Sequence, residues 1–123
     1  MHEMSIAQGM IEQIEKIAQD YDAIRVTKVE IETGILRQVI ADVMQTAFQA
    51  VSEGTLAEGS LLELREVPAL AECRKCKMSF EPEIDNFLCP QCHLADVKIL
   101  QGDEIILKSM ECDSKEKKET HEN

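Results

Sequence analysis

Tryptophan is absent from this chain, tyrosine occurs once and phenylalanine three times, so aromatics make up 3% of 123 residues. Platforms that stack nucleobases are built from such rings, and their scarcity argues against one here. Any core must come from Ile, Val, Leu, Met and Ala, within an ordinary hydrophobic content of 44%. Positive charge is also short. Thirteen Lys and Arg stand against twenty-four Asp and Glu, a formal net charge of −11. That balance repels a phosphate backbone and favours cationic or protein partners. Long apolar runs are missing too: no stretch approaches eighteen residues, and no cationic start leads into an apolar segment as in a signal peptide. The expected location is the cytoplasm, with neither membrane nor nucleic acid among the partners. The length suits one ordinary domain, or a small one carrying a stapled module.

What stands out against these absences is the pair Cys73-Arg74-Lys75-Cys76 and Cys89-Pro90-Gln91-Cys92, separated by twelve residues. Each Cys-x-x-Cys turns tightly enough to aim two sulfurs at one ion about 2.3 Å away, and two such pairs close a tetrahedral thiolate site. Paired cysteines in a reducing compartment point to metal and not to disulfides. Zinc is the expected ion. A closed four-thiolate shell has no open position, so its role is structural, and it would supply folding free energy to a segment, Lys77 to Leu88, with few apolar residues of its own. Iron in a rubredoxin-like electron carrier uses the same pairs, though with the aromatic core missing here. Cys89 to His93 also fits the short motif for c-type haem attachment, which leaves Cys73 and Cys76 unexplained. His93 is a candidate for the zinc second shell or an exposed histidine, and Cys112, outside the pairs, is expected to be inert.

Around the cysteines the chain alternates helix and strand. Met4, Ile6, Ala7, Met10, Ile11, Ile14, Ile17 and Ala18 recur at helical spacing, the stripe of a core-facing amphipathic helix. Ile24 to Thr33 reads as a strand whose apolar phase switches between Val26 and Val29. A second helical stripe runs from Leu36 to Val51 and stops at Gly54, Leu61 to Val67 alternates as a strand closed by Pro68, and Val97–Leu100 and Ile105–Met110 are strands about a Gly102-Asp103 turn. The predicted fold is α+β: a small mixed three-stranded sheet with two helices, plus an inserted four-cysteine zinc-ribbon module. Domain bounds follow as 1–68 with 101–110, a zinc-binding segment at 69–100, and a charged tail at 111–123 expected to be disordered.

The N-terminus carries a second constellation. Met1-His2-Glu3 sets a terminal amine, a backbone amide and an imidazole side by side; amine and His2 amide close a five-membered chelate ring on a metal, the His2 ring nitrogen a six-membered one, and Glu3 offers a fourth donor through its amide or carboxylate. Planar nitrogen donors suit nickel(II) or copper(II). Because amine and imidazole must be deprotonated, such binding weakens as pH falls through about 7 to 6. A histidine at position 2 is by itself more often incidental than ligating.

Met1-His2-Glu3-Met4-Ser5-Ile6 at the start, combined with the paired cysteines before the last strand, resembles the HypA/HybF family of nickel-insertion accessory proteins for nickel-iron hydrogenase maturation, some of which also serve urease. Val26, Val29 and Ile31 followed by Gly34 resemble that family's first strand and turn, and the likeness covers about Met1 to Met110. The resemblance implies a nickel metallochaperone and not an enzyme: Met1, His2 and Glu3 would hold Ni(II) as cargo, and Cys73, Cys76, Cys89 and Cys92 would hold structural Zn(II). It implies as partners the nickel-handling GTPase HypB and the hydrogenase large-subunit precursor. The residues alone leave open a non-enzymatic zinc-ribbon module for protein interaction or transcription.

Overall fold

The computed structural model describes the backbone of residues 2–114 and 118–122 and the side chains of residues 3–114. In chain order the elements are α1 (His2–Asp20), β1 (Ala23–Gly34), a 3-10 turn (Ile35–Arg37), α2 (Ala41–Ser52), β2 (Leu61–Val67), β3 (Leu70–Cys73), β4 (Ser79–Phe80), β5 (Val97–Gln101), β6 (Ile105–Ser114) and β7 (Lys118–Glu122). The class is the α+β arrangement expected, two helices with small sheets and a four-cysteine module. The expected three-stranded sheet is β2-β1-β6, extended by β7 beside β6; a second sheet has the order β4-β3-β5.

Two compact units result. The first comprises residues 1–31, 39–64 and 107–123. Within it α1 packs on α2, because the stripe Ala7, Ile11, Ile14 and Ala18 is buried along one side while Met4, Ile6, Met10 and Ile17 flank it half-buried. Met44, Ala47 and Phe48 of α2 are buried at the same three-and-four spacing. Val26 and Val29 are both fully buried, as is Ile31, which accounts for the switch in apolar phase along β1. Gln45 Nε2 donates to the Leu62 carbonyl at 2.8 Å, and Ser109 Oγ donates to Glu30 Oε1 at 3.1 Å across β6 and β1. The Lys28–Glu63 pair at 3.0 Å is largely solvated and contributes little.

The second unit, residues 32–38 and 65–106, has a core of a different kind. Its buried hydrophobic residues are Ala69, Ala71, Cys73 and Cys89, while Met78, Ile84, Leu88, Leu94, Leu100 and Ile106 are exposed. β3 pairs antiparallel with both neighbours, Cys73 opposite Val97 and Ala71 opposite Phe80. The 3-10 turn joins this unit because Gly34 N–H donates to the Glu104 carbonyl at 2.7 Å and Leu36 N–H to the Gly102 carbonyl at 2.9 Å.

Three expectations change. The second helix starts at Ala41 and not near Leu36, since the hydrogen bond from Leu36 to Gly102 holds the chain in a turn and Gln38 follows at φ 53, outside the helical region. Strands β3 and β4 lie where only a cysteine loop was expected, being too short to show a period. The charged tail begins later than Glu111: β6 continues to Ser114 with Met110 and Cys112 buried on alternate positions, and β7 pairs with it from Ser109↔Glu122 to Asp113↔Lys118. Of that expected tail, residues 115–117 and Asn123 lie outside the described residues.

The glycines give a direct check. A Cβ at Gly34 would run into the Gly102 carbonyl carbon and oxygen, backbone that has no rotamer in which to yield, whereas one at Gly9 on exposed α1 meets nothing within 4 Å. Gly34→Ala should lower stability by about 1–3 kcal/mol, and Gly9→Ala should raise it by about 0.5–1 kcal/mol, read from urea midpoints. Equal responses at the two positions would contradict this packing.

Candidate metal centres

Two turns of the same design bring the cysteines together. In the first, Cys73 N–H donates to the Met78 carbonyl at 2.9 Å and Lys77 N–H to the Cys73 carbonyl at 2.9 Å; in the second, Cys89 N–H donates to the Leu94 carbonyl at 2.9 Å and His93 N–H to the Cys89 carbonyl at 2.8 Å. Lys77 (φ 65) and His93 (φ 58) each take the left-handed conformation one residue after the second cysteine. That reversal lets both sulfurs of a pair face the same point. Arg74 stiffens the first turn, its N–H donating to the Asp96 carbonyl at 3.0 Å and its Nε lying 3.3 Å from Asp96 Oδ1.

The four sulfur atoms of Cys73, Cys76, Cys89 and Cys92 lie within 4.8 Å of one another, with Cys76 and Cys89 Sγ atoms 3.6 Å apart. A tetrahedral ion with metal–sulfur bonds of about 2.3 Å needs sulfur–sulfur edges of about 3.8 Å. The cage therefore fits one ion with small adjustments. Cys73 and Cys89 are buried, Cys76 and Cys92 half-buried.

Proton affinities in the cage diverge. The Cys73 thiol is drawn down to about 7, chiefly because the Cys76 backbone N–H donates to its sulfur, with Lys75 N–H adding to the effect and burial opposing it. Cys92 is pushed up to about 12, first by its hydrogen bond to the Cys76 sulfur, then by burial and the neighbouring Cys73 sulfur. Four thiolates this close repel one another, so full ionisation of the cage is favoured only beside a cation. A divalent metal removes that restriction. Cys92 N–H also donates to Cys89 Sγ at 3.4 Å.

The other site residues predicted from sequence are placed differently. His93 is exposed and serves the turn through its backbone, in the position Lys77 holds in the first turn. Cys112 is buried in β6, in the other unit from the cysteine cage. Met1 and the side chain of His2 lie outside what the structure describes; α1 begins at His2. Glu3 is 8% exposed, and its Oε2 accepts the backbone N–H of Ile40 at 3.1 Å. That contact joins residues 37 apart and had no signal in the sequence.

Comparison with known proteins agrees with these features. The family described as hydrogenase/urease nickel incorporation, metallochaperone, HypA matches residues 1–112. The chain is 38% identical over 111 residues to the hydrogenase maturation factor HypA of Azotobacter vinelandii, covering 90% of this chain and 98% of that one. With the hydrogenase maturation factor HybF of Escherichia coli O157:H7 it shares 36% identity over 111 residues, 90% and 98% of the two chains. The solution structure of the Ni metallochaperone HypA from Helicobacter pylori superposes with a TM-score of 0.73 at 27% identity, covering 94% of this chain and all of that one.

Metal retention should follow the protons. Binding must displace the Cys92 proton throughout the neutral range, and below about pH 7 the Cys73 proton as well, so affinity falls as pH is lowered and falls more steeply below 7. Competition with a chromogenic chelator should show at least a tenfold loss per pH unit below that point. A flat profile between pH 8 and 6 would exclude the thiolate cage as the ligand set.

Proposed function

The chain belongs to the HypA family, a family of maturation metallochaperones and not of enzymes, and from that premise we propose that it binds Ni(II) at its N-terminus and delivers it during maturation of nickel-iron hydrogenase. The observation that carries the reading is that the family match begins at residue 1, so Met1, His2 and Glu3 fall inside it together with all four cysteines. Nickel is cargo. The terminal amine, the His2 amide and imidazole, and Glu3 form the ligand set, a combination that nickel(II) favours.

The start of α1 suits this task. The first four N–H groups of a helix have no intrahelical acceptor, so chelation through the His2 and Glu3 amides breaks no helical hydrogen bond. A site built from the last residues of a chain end also lets a receiving protein displace ligands one at a time. Protonation of amine and imidazole assists release, since both must be neutral to bind.

In the same reading, Cys73, Cys76, Cys89 and Cys92 hold zinc, whose preference for four thiolates in a tetrahedron matches the cage. The ion closes a unit that buries no large aliphatic side chain, and it contributes on the order of 10 kcal/mol to folding in sites of this type. Both sites suit the cytoplasm, where thiols stay reduced. Among the described residues no helix is long and apolar enough to cross a membrane. The partners are the nickel-handling GTPase HypB and the hydrogenase large-subunit precursor; delivery to urease is a second outlet of the same cargo.

Replacing His2 by Ala, or adding one residue before Met1, should abolish stoichiometric nickel binding while zinc content and helical circular dichroism stay unchanged. An extended protein that still titrated with nickel as before would remove the N-terminal chelate from consideration.

A further inference from the structure

The second unit holds a cavity in which none of the cysteines takes part. Its volume is about 310 Å³, it is partly open to solvent, and every residue lining it belongs to 32–38 or 65–106. Three segments wall it, and backbone contacts fix them against one another. Gly34 and Leu36 N–H groups donate to the Glu104 and Gly102 carbonyls at 2.7 and 2.9 Å, and Gln101 Nε2 donates to the Pro68 carbonyl at 2.9 Å. A Cβ at Gly102 would meet Ala69 Cα at 2.5 Å, so the segments lie as close as backbone allows. The cavity is preformed.

Its lining is of two kinds. Val67, Leu100 and Ile106 give aliphatic surface, and the last two are 45% and 43% exposed. Leu100 stands there because β5 bulges: Gln101 faces Leu70 and Ile99 faces Ala71, which leaves Leu100 as the extra residue on an edge strand. Glu32, Asp103 and Glu104 add three carboxylates, and the lining contains no lysine or arginine.

We propose that this cavity is a docking site for a partner protein, which inserts into it an arginine side chain flanked by aliphatic residues. Three carboxylates around one concavity repel an anion and attract a cation, so the occupant is cationic. Arginine suits the lining better than lysine. Its stem can cover the aliphatic wall while its planar, weakly hydrated head reaches several carboxylate oxygens. A free cation would leave Leu100 and Ile106 in water, whereas aliphatic neighbours of the arginine remove them from it. A second copy of this chain is a poor occupant, since it carries the same net charge of −11. The surface lies in the second unit and does not depend on the N-terminal nickel reading.

The probe is the peptide acetyl-Ser-Leu-Arg-Leu-Ser-amide, titrated into the zinc-loaded full chain and followed by amide shifts in nuclear magnetic resonance. Shifts should concentrate at Ile99 to Ile106. Replacing the peptide's arginine by glutamine should weaken binding about tenfold or more, the loss expected for hydrogen bonds to charged groups, and lysine should fall between the two. The variant Glu32→Gln, Asp103→Asn, Glu104→Gln should lose binding to the same extent with zinc content unchanged. A charge-matched control in α1, Glu12→Gln, Glu15→Gln, Asp20→Asn, should bind like the parent. Leu100→Ser should weaken binding of the arginine peptide and leave that of spermidine unchanged. Shifts absent from Ile99 to Ile106, or equal losses in the control variant, would overturn the site. So would spermidine matching the peptide in affinity and shifts, which marks a cation site only, or concentration-dependent shifts of the same amides without peptide, which mark self-association.

Discussion

Four sulfur atoms within 4.8 Å of one another are the constraint on which the second unit depends. Such a cluster is costly when empty, since thiolates repel and buried thiols leave little to pack. The unit that contains it buries only Ala69, Ala71, Cys73 and Cys89 among its hydrophobic residues. An ion bound there would therefore supply most of what that unit has for a core. The short strands β3 and β4 and the two left-handed residues Lys77 and His93 route backbone through the cysteine turns without bulk.

The first unit is held by ordinary means, in contrast with the second. Buried aliphatic residues of α1, α2, β1 and β6 give it a core that needs no metal. A closed tetrathiolate holds an ion with every coordination position filled, whereas the chelate proposed at the start of α1 would use main-chain nitrogens for which a helix itself supplies no acceptor. On the proposed reading, retention and release fall to separate places in one small protein, set by the number of ligands each can bring together.

Much of this was legible from residue patterns, and the misses share a cause. The α1 stripe, the β2 alternation and the cysteine pairs each repeat over enough residues to show a period or a spacing. β3 and β4, four and two residues long, do not. Leu36, Val39 and Ile40 continue the helical spacing of α2 although they lie outside it, because periodicity carries no trace of the hydrogen bond that holds Leu36 to Gly102. Glu111 and Asp113 made a strand look like a tail, since composition averages over the two faces that β6 separates. The Glu3–Ile40 hydrogen bond was invisible for the same reason at longer range.

What the sequence determined by itself is the chemistry available: which atoms can bind a soft divalent ion, which nitrogens crowd the N-terminus, and which stripes must be buried. Those are properties of residue type and short spacing, and they survive any arrangement of the elements. Only the tertiary structure decided how that chemistry is divided. It set the four thiols against one another so that their proton affinities part, and it turned the Glu3 carboxylate toward the Ile40 N–H. Both depend on distances between segments far apart in the chain, and those distances come from packing.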